Sequence, residues 1–194
     1  GNEETNTITQ DSLGNRIVVP AGFEIVNPDD NVIDGIIVKD KMHTNTAGSE
    51  FVWIPVGDII REDTTTVNIE LNRYIFDNNG REVKKDLNEI DEFWTENTDA
   101  NHNNYYKNTI AKNIGDFITK AKSSHGYYIG RYEARDKNAK TERTDLSSVT
   151  NQIICTAENY VYNYVTQPQA AALSRGMYTG TSFESDLINS YAWD

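Results

Sequence analysis

The sequence contains very little cysteine. Cys155 is the single cysteine among 194 residues, so the chain cannot form an intramolecular disulfide or a zinc cluster built from cysteines. Its neighbours in residues 153–157 are mostly apolar, and an apolar setting disfavours the thiolate that a nucleophile needs. We therefore expect Cys155 to be a buried core residue.

Basic residues and long apolar runs are also scarce. Lys and Arg number 18 against 30 Asp and Glu, which gives a formal net charge of −12. A surface this acidic repels nucleic acid and anionic lipid head groups. There is no apolar run near the roughly 20 residues of a membrane helix, so no membrane insertion by this segment is expected. No signal peptide is visible in residues 1–7, and we expect any targeting segment to have been removed before Gly1. These features favour a secreted or cell-surface domain.

The common catalytic and cofactor motifs are missing. There is no phosphate-binding loop, dinucleotide fingerprint or nucleophile elbow. His43, His102 and His125 lie far apart, and none has a second metal ligand at helical spacing. We therefore expect no cofactor, no metal and no catalytic residue. One alternative stays open, because spacing alone does not exclude a carboxylate pair for glycoside hydrolysis in the acidic stretch 86–96.

One segment resembles the start of a calcium loop. Asp99, Asn101 and Asn103 have the alternate spacing of EF-hand ligands. The Gly and Glu required at positions six and twelve are replaced by Asn104 and Ile110. An EF-hand is therefore excluded, although a looser calcium site that includes Asp99 stays open.

The pattern of apolar residues predicts an α+β fold with a twisted antiparallel sheet and two or three helices. Strands are expected at 17–19, 23–26, 32–38 and 51–56, with a hairpin turn at 79–80. Pro55 cannot donate a ladder hydrogen bond, so its strand is expected to be an edge or to bend there. Helices are expected at 108–123, at Gln167–Met177 after a Thr166 cap, and at 182–194.

The length fits one domain. We expect a flexible N-terminal segment at 1–16 and a single α+β domain at 17–194. The last residues, up to Asp194, are apolar and periodic and lack a helix stop signal. The domain is therefore expected to be truncated at its C-terminus.

Tyrosine is abundant, with 11 residues against 6 Phe. Tyr160, Tyr162 and Tyr164 alternate in a stretch that reads as a strand, which places three rings on one side. With Asp99, Asn101 and Asn103 of the 97–104 loop, they are the candidate ligand-binding residues, because tyrosine rings stack on sugars and amides bind hydroxyls. Carbohydrate and protein fit equally well. The alternative is an ordinary strand with Val161 and Val165 facing the core.

Several segments together resemble one enzyme family. They are residues 51–57 (FVWIPVG), residues 126–134 (GYYIGRYEA), Val165-Thr166 with Ala170 four residues after Thr166, and the Leu187-to-Trp193 spacing before Asp194. The sequence is similar here to the formylglycine-generating-enzyme/sulfatase-modifying-factor family, a variant of the C-type-lectin fold. It also resembles surface proteins of gut Firmicutes that share the phrases VPAGF, FVWIPVG, YYIGRYEAR, VTQPQAAALS and INSYAWD.

The resemblance implies a fold and a surface setting without an active site. In that family the copper-binding catalytic cysteines follow the Trp motif, at which this chain ends, and Cys155 precedes it. We therefore expect a non-catalytic recognition or scaffolding module, with an incomplete C-type-lectin-like domain that binds protein or carbohydrate at the cell surface. The alternatives are an incomplete enzyme of the formylglycine-generating type and a pilin-like structural subunit.

Overall fold

The computed structural model of the protein describes residues 4–85, 114–144, 152–157 and 160–193. Within these ranges the fold is mixed α+β, with short antiparallel strands and three helices. The α+β prediction is confirmed at this level. The expected 97–104 loop, with Asp99, Asn101 and Asn103, lies outside the described residues, as does the stretch 108–113 of the first predicted helix.

Twelve short strands are present in the described residues. Their bounds are β1 Thr7–Gln10, β2 Arg16–Val19, β3 Phe23–Ile25, β4 Ile37–Asp40, β5 Glu50–Pro55, β6 Gly57–Ile60, β7 Thr66–Ile69, β8 Arg73–Phe76, β9 Glu82–Lys85, β10 Gly126–Gly130, β11 Arg135–Asp136 and β12 Ile153–Ile154. The helices are α1 Ile114–Ser124, α2 Gln167–Met177 and the single turn α3 Ser190–Trp193, and Val32–Asp34 form a 3-10 turn.

The strands form several sheets in place of the one sheet that was expected. The largest among the described residues has four strands in the order β10-β5-β4-β3, and every pairing in it is antiparallel. Four two-stranded ribbons accompany it, made by β1–β2, β6–β7, β8–β9 and β11–β12. The strands are only two to six residues long, and turn residues separate them too often for one continuous sheet.

Strand β5 occupies the centre of the four-stranded sheet, so Pro55 does not mark an edge. Pro55 is the last residue of β5 and lies opposite Gly126 on β10. The chain then turns at Gly57, whose φ of 101° is readily available only to glycine, and continues into β6. Strand β5 therefore ends at Pro55, whereas the alternative expectation, a bend at Pro55 itself, stays a prediction.

The described residues form two apolar clusters in the interior. The first lies on the four-stranded sheet and contains Ile17, Val19, Phe23, Val32, Ile36, Val38, Trp53, Ile59 and Tyr178. The second joins α1 and α3 to the end of β5 and contains Val56, Leu71, Ala121 and Tyr191, with Phe117, Ile118 and Tyr127 packed against it. The Tyr127 hydroxyl donates to the Ala192 carbonyl at 3.0 Å, which fixes the last turn of the chain.

The hairpin β8–β9 was predicted at the correct place. Ile75 pairs with Val83, and the Asp77 carboxylate accepts from the Asn79 and Arg81 amides. Only Gly80 of the turn has a positive φ, at 73°. The connection is therefore a longer loop than the two-residue turn that an Asn-Gly pair typically forms.

Helix α2 has the bounds that the sequence predicted. The Thr166 hydroxyl accepts from the Gln169 amide, and the Gln169 side chain accepts from the Thr166 amide at 2.9 Å, which completes a capping box. The third helix was predicted too long, because within 182–193 only Ser190–Trp193 is helical. Ser185 instead donates to the Ser174 carbonyl and accepts from the Tyr178 amide. These bonds fold residues 183–189 back against α2.

The flexible segment expected at 1–16 needs correction. Thr7–Gln10 form β1, which pairs with β2. The buried side chain of Asn15 donates to the Ile60 carbonyl at 2.9 Å and accepts from the Ile60 amide at 2.7 Å. These bonds tie the N-terminal ribbon to β6.

Among the described helices, none combines the length and apolar character needed to cross a bilayer.

Candidate functional site

The predicted tyrosine strand is not a strand. Residues 160–165 are irregular, and Tyr164 has a positive φ of 49°. The exposed fractions of Tyr160, Val161 and Tyr164 are 38%, 47% and 52%, whereas Tyr162 is half-buried. The prediction that the three tyrosine rings share one face of a strand is therefore wrong. The alternative prediction, in which Val161 faces the core, is wrong as well. The segment presents two tyrosines and a valine to solvent.

Arg143 fixes the backbone of this segment. Its Nε donates to the Asn163 carbonyl at 3.1 Å, and its guanidinium lies 5.0 Å from the centre of the Tyr162 ring. A further guanidinium nitrogen lies 3.4 Å from the Tyr164 carbonyl. The Tyr162 amide donates to the Ala134 carbonyl at 2.8 Å. A planar guanidinium suits such a contact, because it can stack on a ring and donate in its own plane.

The arrangement gives an anchored aromatic surface. Tyrosine is large and rigid and loses little side-chain entropy when it binds, so it is enriched in binding loops. A non-glycine residue at positive φ is uncommon and needs support from its surroundings. At Tyr164 the Arg143 contacts provide that support. We call the exposed surface of Tyr160, Val161 and Tyr164 the tyrosine loop.

A second polar cluster surrounds Asp40, which is only 1% exposed. Its Oδ2 accepts from the Thr46 hydroxyl at 2.5 Å and the Tyr178 hydroxyl at 2.8 Å. Its Oδ1 accepts from the Met42 and His43 amides at 3.2 and 3.1 Å and lies 2.9 Å from His43 Nδ1. Burial alone would raise the pKa of Asp40, but these hydrogen bonds outweigh it, and the pKa is lowered.

The His43 ring lies within an aromatic group. Ring centres of Phe23, Tyr178 and Phe183 lie 5.5–5.6 Å from it. The imidazole contacts Gly22 so closely that a Cβ atom there would be 2.7 Å from His43 Cε1. An Asp–His pair can serve acid–base catalysis, but here the carboxylate joins the β4–β5 connection to the end of α2. We interpret the Asp40 cluster as structural.

Cys155 is buried, as predicted. Its amide donates to the Ser49 hydroxyl at 3.1 Å, and burial raises the pKa of its thiol to about 11. A thiol with this pKa is almost entirely protonated at neutral pH. This setting disfavours the thiolate that a nucleophile needs.

A labelling experiment tests the buried thiol. We expect Ellman's reagent to modify native protein at pH 8 at least roughly a hundredfold more slowly than urea-unfolded protein, because both burial and the raised pKa suppress the thiolate. Glutathione, measured in parallel, controls for the reagent. A native rate within a few-fold of the unfolded rate would contradict this placement.

The described residues bring together no three His, Cys, Asp or Glu side chains in a metal-binding arrangement. His43 and His125 lie on different parts of the fold, and His102 lies outside the described residues. The calcium site that involved Asp99 therefore stays a prediction.

Searches of protein-family models, curated proteins and solved structures find no match to this chain. Its function is inferred from its own residues and their geometry.

Sequence reasoning missed Arg143 and Asp40. Arg143 contacts the tyrosine loop across about 20 residues of sequence, and a charged residue in a charged stretch gives no signal of such a contact. Asp40 did carry a local signal. Asp40, His43 and Thr46 are three residues apart, and short side chains at this spacing commonly bond neighbouring backbone amides.

Proposed function

We propose that this protein is a non-catalytic recognition module that acts at a bacterial cell surface or after secretion. Its tyrosine loop binds carbohydrate. The observation that carries the proposal is the pair of exposed rings, Tyr160 and Tyr164, on an irregular segment held by Arg143. Irregular segments positioned by a rigid scaffold are the usual location of binding residues.

The physical chemistry of the loop favours a sugar. An exposed tyrosine ring can cover the apolar face of a pyranose while its hydroxyl donates and accepts hydrogen bonds. The net charge of −12 opposes anionic polymers and has little effect on a neutral glycan. A protein partner is the alternative occupant, and the experiment below separates the two.

The same proposal includes the fold family to which the domain is assigned. We propose that the domain is C-type-lectin-like and related to formylglycine-generating enzymes. Support comes from the order of the sequence motifs and from the pairing of two of them, residues 51–57 and 126–134, as adjacent strands β5 and β10. The buried, protonated Cys155 gives no support to the enzyme alternative.

A glycan array with the purified protein tests the function. We expect binding to one or more neutral glycans, and we expect the double variant Tyr160→Ala/Tyr164→Ala to lose at least roughly tenfold in affinity, as removal of central aromatic contacts does. Phe76→Ala is the matched control, because Phe76 is 71% exposed but lies on the β8–β9 hairpin. It should leave binding unchanged.

Arg143→Lys provides an independent check on the same surface. Lysine keeps the charge but cannot stack on Tyr162 and donate in the same plane, so we expect weaker glycan binding with both exposed tyrosines intact. Equal binding by wild type and the double tyrosine variant would contradict the proposal. Tyrosine-dependent binding to a protein on a cell-surface screen, with no glycan bound, would replace the carbohydrate by a protein partner.

A further inference from the structure

A groove lies between β7 and α1, and none of its lining residues belongs to the tyrosine loop. It has a volume of about 750 Å³ and is lined by Val56, Leu71, Glu70, Asn72, Lys122 and His125, among others. This volume is within the roughly 300–1,000 Å³ typical of small-molecule sites. The lining combines an apolar floor with charged and amide groups.

The net charge of the residues that line this groove is opposite in sign to the net charge of the protein. Lys84 is paired with Glu70 at 2.7 Å, and that hydrogen bond, followed by one from Asn72, lowers the pKa of Glu70. Lys122 and His125 also line the groove. Their side chains form no hydrogen bond or ion pair with any residue in the part of the chain that the structure describes. Lys122 lies near enough to Glu70 to help lower its pKa, so two lysines share this carboxylate. The residues that line the groove therefore carry one net positive charge, in a protein of net charge −12.

We propose that this groove binds a small sugar acid, with its carboxylate on Lys122 and His125. One net positive charge matches one carboxylate, whereas Glu70 would repel a dianion such as phosphate more strongly than a monoanion. Asn72 and Glu70 are placed to bind hydroxyl groups, and Leu71 offers an apolar surface to the ring. This is a second site, of different charge preference from the tyrosine loop, and it does not depend on the carbohydrate proposal made there.

Isothermal titration of the whole protein with D-galacturonate tests the site. A dissociation constant on the order of 1 mM is expected for a ligand of about a dozen heavy atoms. D-galactose, which lacks the carboxylate, should bind at least roughly tenfold more weakly, because it forms no charge-assisted hydrogen bond. Inorganic phosphate should compete poorly.

Two lysine variants locate the carboxylate. Lys122→Gln should weaken galacturonate binding about tenfold, while Lys41→Gln should not, because Lys41 pairs with Glu24 near β3 and β4. Tyr160→Ala/Tyr164→Ala should leave galacturonate binding unchanged, which separates failure here from failure of the tyrosine loop.

Three results would overturn the proposal. The first is equal binding of galactose and galacturonate. The second is galacturonate binding that Lys122→Gln leaves unchanged. The third is a loss of thermal stability in Lys122→Gln without any uronate binding, because it would indicate that the lysine serves a contact within the protein.

Discussion

Asp40→Ala should lower the free energy of unfolding by about 3–5 kcal/mol. The change removes a buried carboxylate and leaves the hydroxyls of Thr46 and Tyr178 without their acceptor. The backbone amides of Met42 and His43 also lose the carboxylate oxygen that accepts their hydrogen bonds. Because a domain is typically stable by only about 5–15 kcal/mol, this loss should be visible as a large shift of the urea midpoint.

Asp63→Ala is the matched control. Asp63 also accepts from a nearby amide and hydroxyl, both from Thr65, but it is fully exposed. Water replaces the lost acceptor there, so the midpoint should barely move. Similar shifts for Asp40→Ala and Asp63→Ala would show that the Asp40 cluster is not a buried stabilising network. Tyr178→Phe, which removes one hydroxyl, should fall between them.

The Asp40 cluster also makes stability depend on pH. The pKa of the Asp40 carboxyl group is lower in the folded protein than the value of about 3.9 for an unfolded aspartate. The ionised carboxylate therefore stabilises the fold above about pH 4, and that contribution is lost as the pH falls through the native pKa. The stability difference between wild type and Asp40→Asn should shrink below pH 4. A constant difference from pH 7 to pH 3 would contradict the lowered pKa.

Gly126→Ala should destabilise the four-stranded sheet by about 3 kcal/mol, at the upper end of the range for overpacking. A Cβ atom at this position would overlap the Trp53 indole and lie 2.6 Å from the Ile54 carbonyl oxygen. Trp53 is buried in the first apolar cluster, and the carbonyl is backbone of the central strand. Neither can move without disturbing β5.

Gly176→Ala is the control for this substitution. Gly176 lies in α2, and a Cβ atom there would meet nothing within 4 Å. Alanine is a better helix former than glycine by about 1 kcal/mol, so this variant should be unchanged or slightly more stable. Thermal unfolding followed by circular dichroism compares the two variants. A Gly126→Ala protein as stable as wild type would mean that β10 and β5 pack less closely than described.

The sequence predicted the local features that depend on neighbouring residues. The Thr166 cap of α2, the position of the β8–β9 hairpin and the burial of Cys155 each follow from a few adjacent side chains. The mixed α+β composition followed from the same patterns. The helix expected from residue 182 is an exception, because residues 183–189 fold against α2 through Ser185.

The sequence by itself determined the helix and strand character of most segments, since propensity and capping act over a few residues. Only the tertiary structure decided which surface the tyrosines form. Alternation predicted a strand at 160–164, but Arg143 reaches this segment across the fold and the chain there finds no partner strand among the described residues. A strand requires such a partner for its backbone groups, and sequence periodicity does not reveal whether one is available.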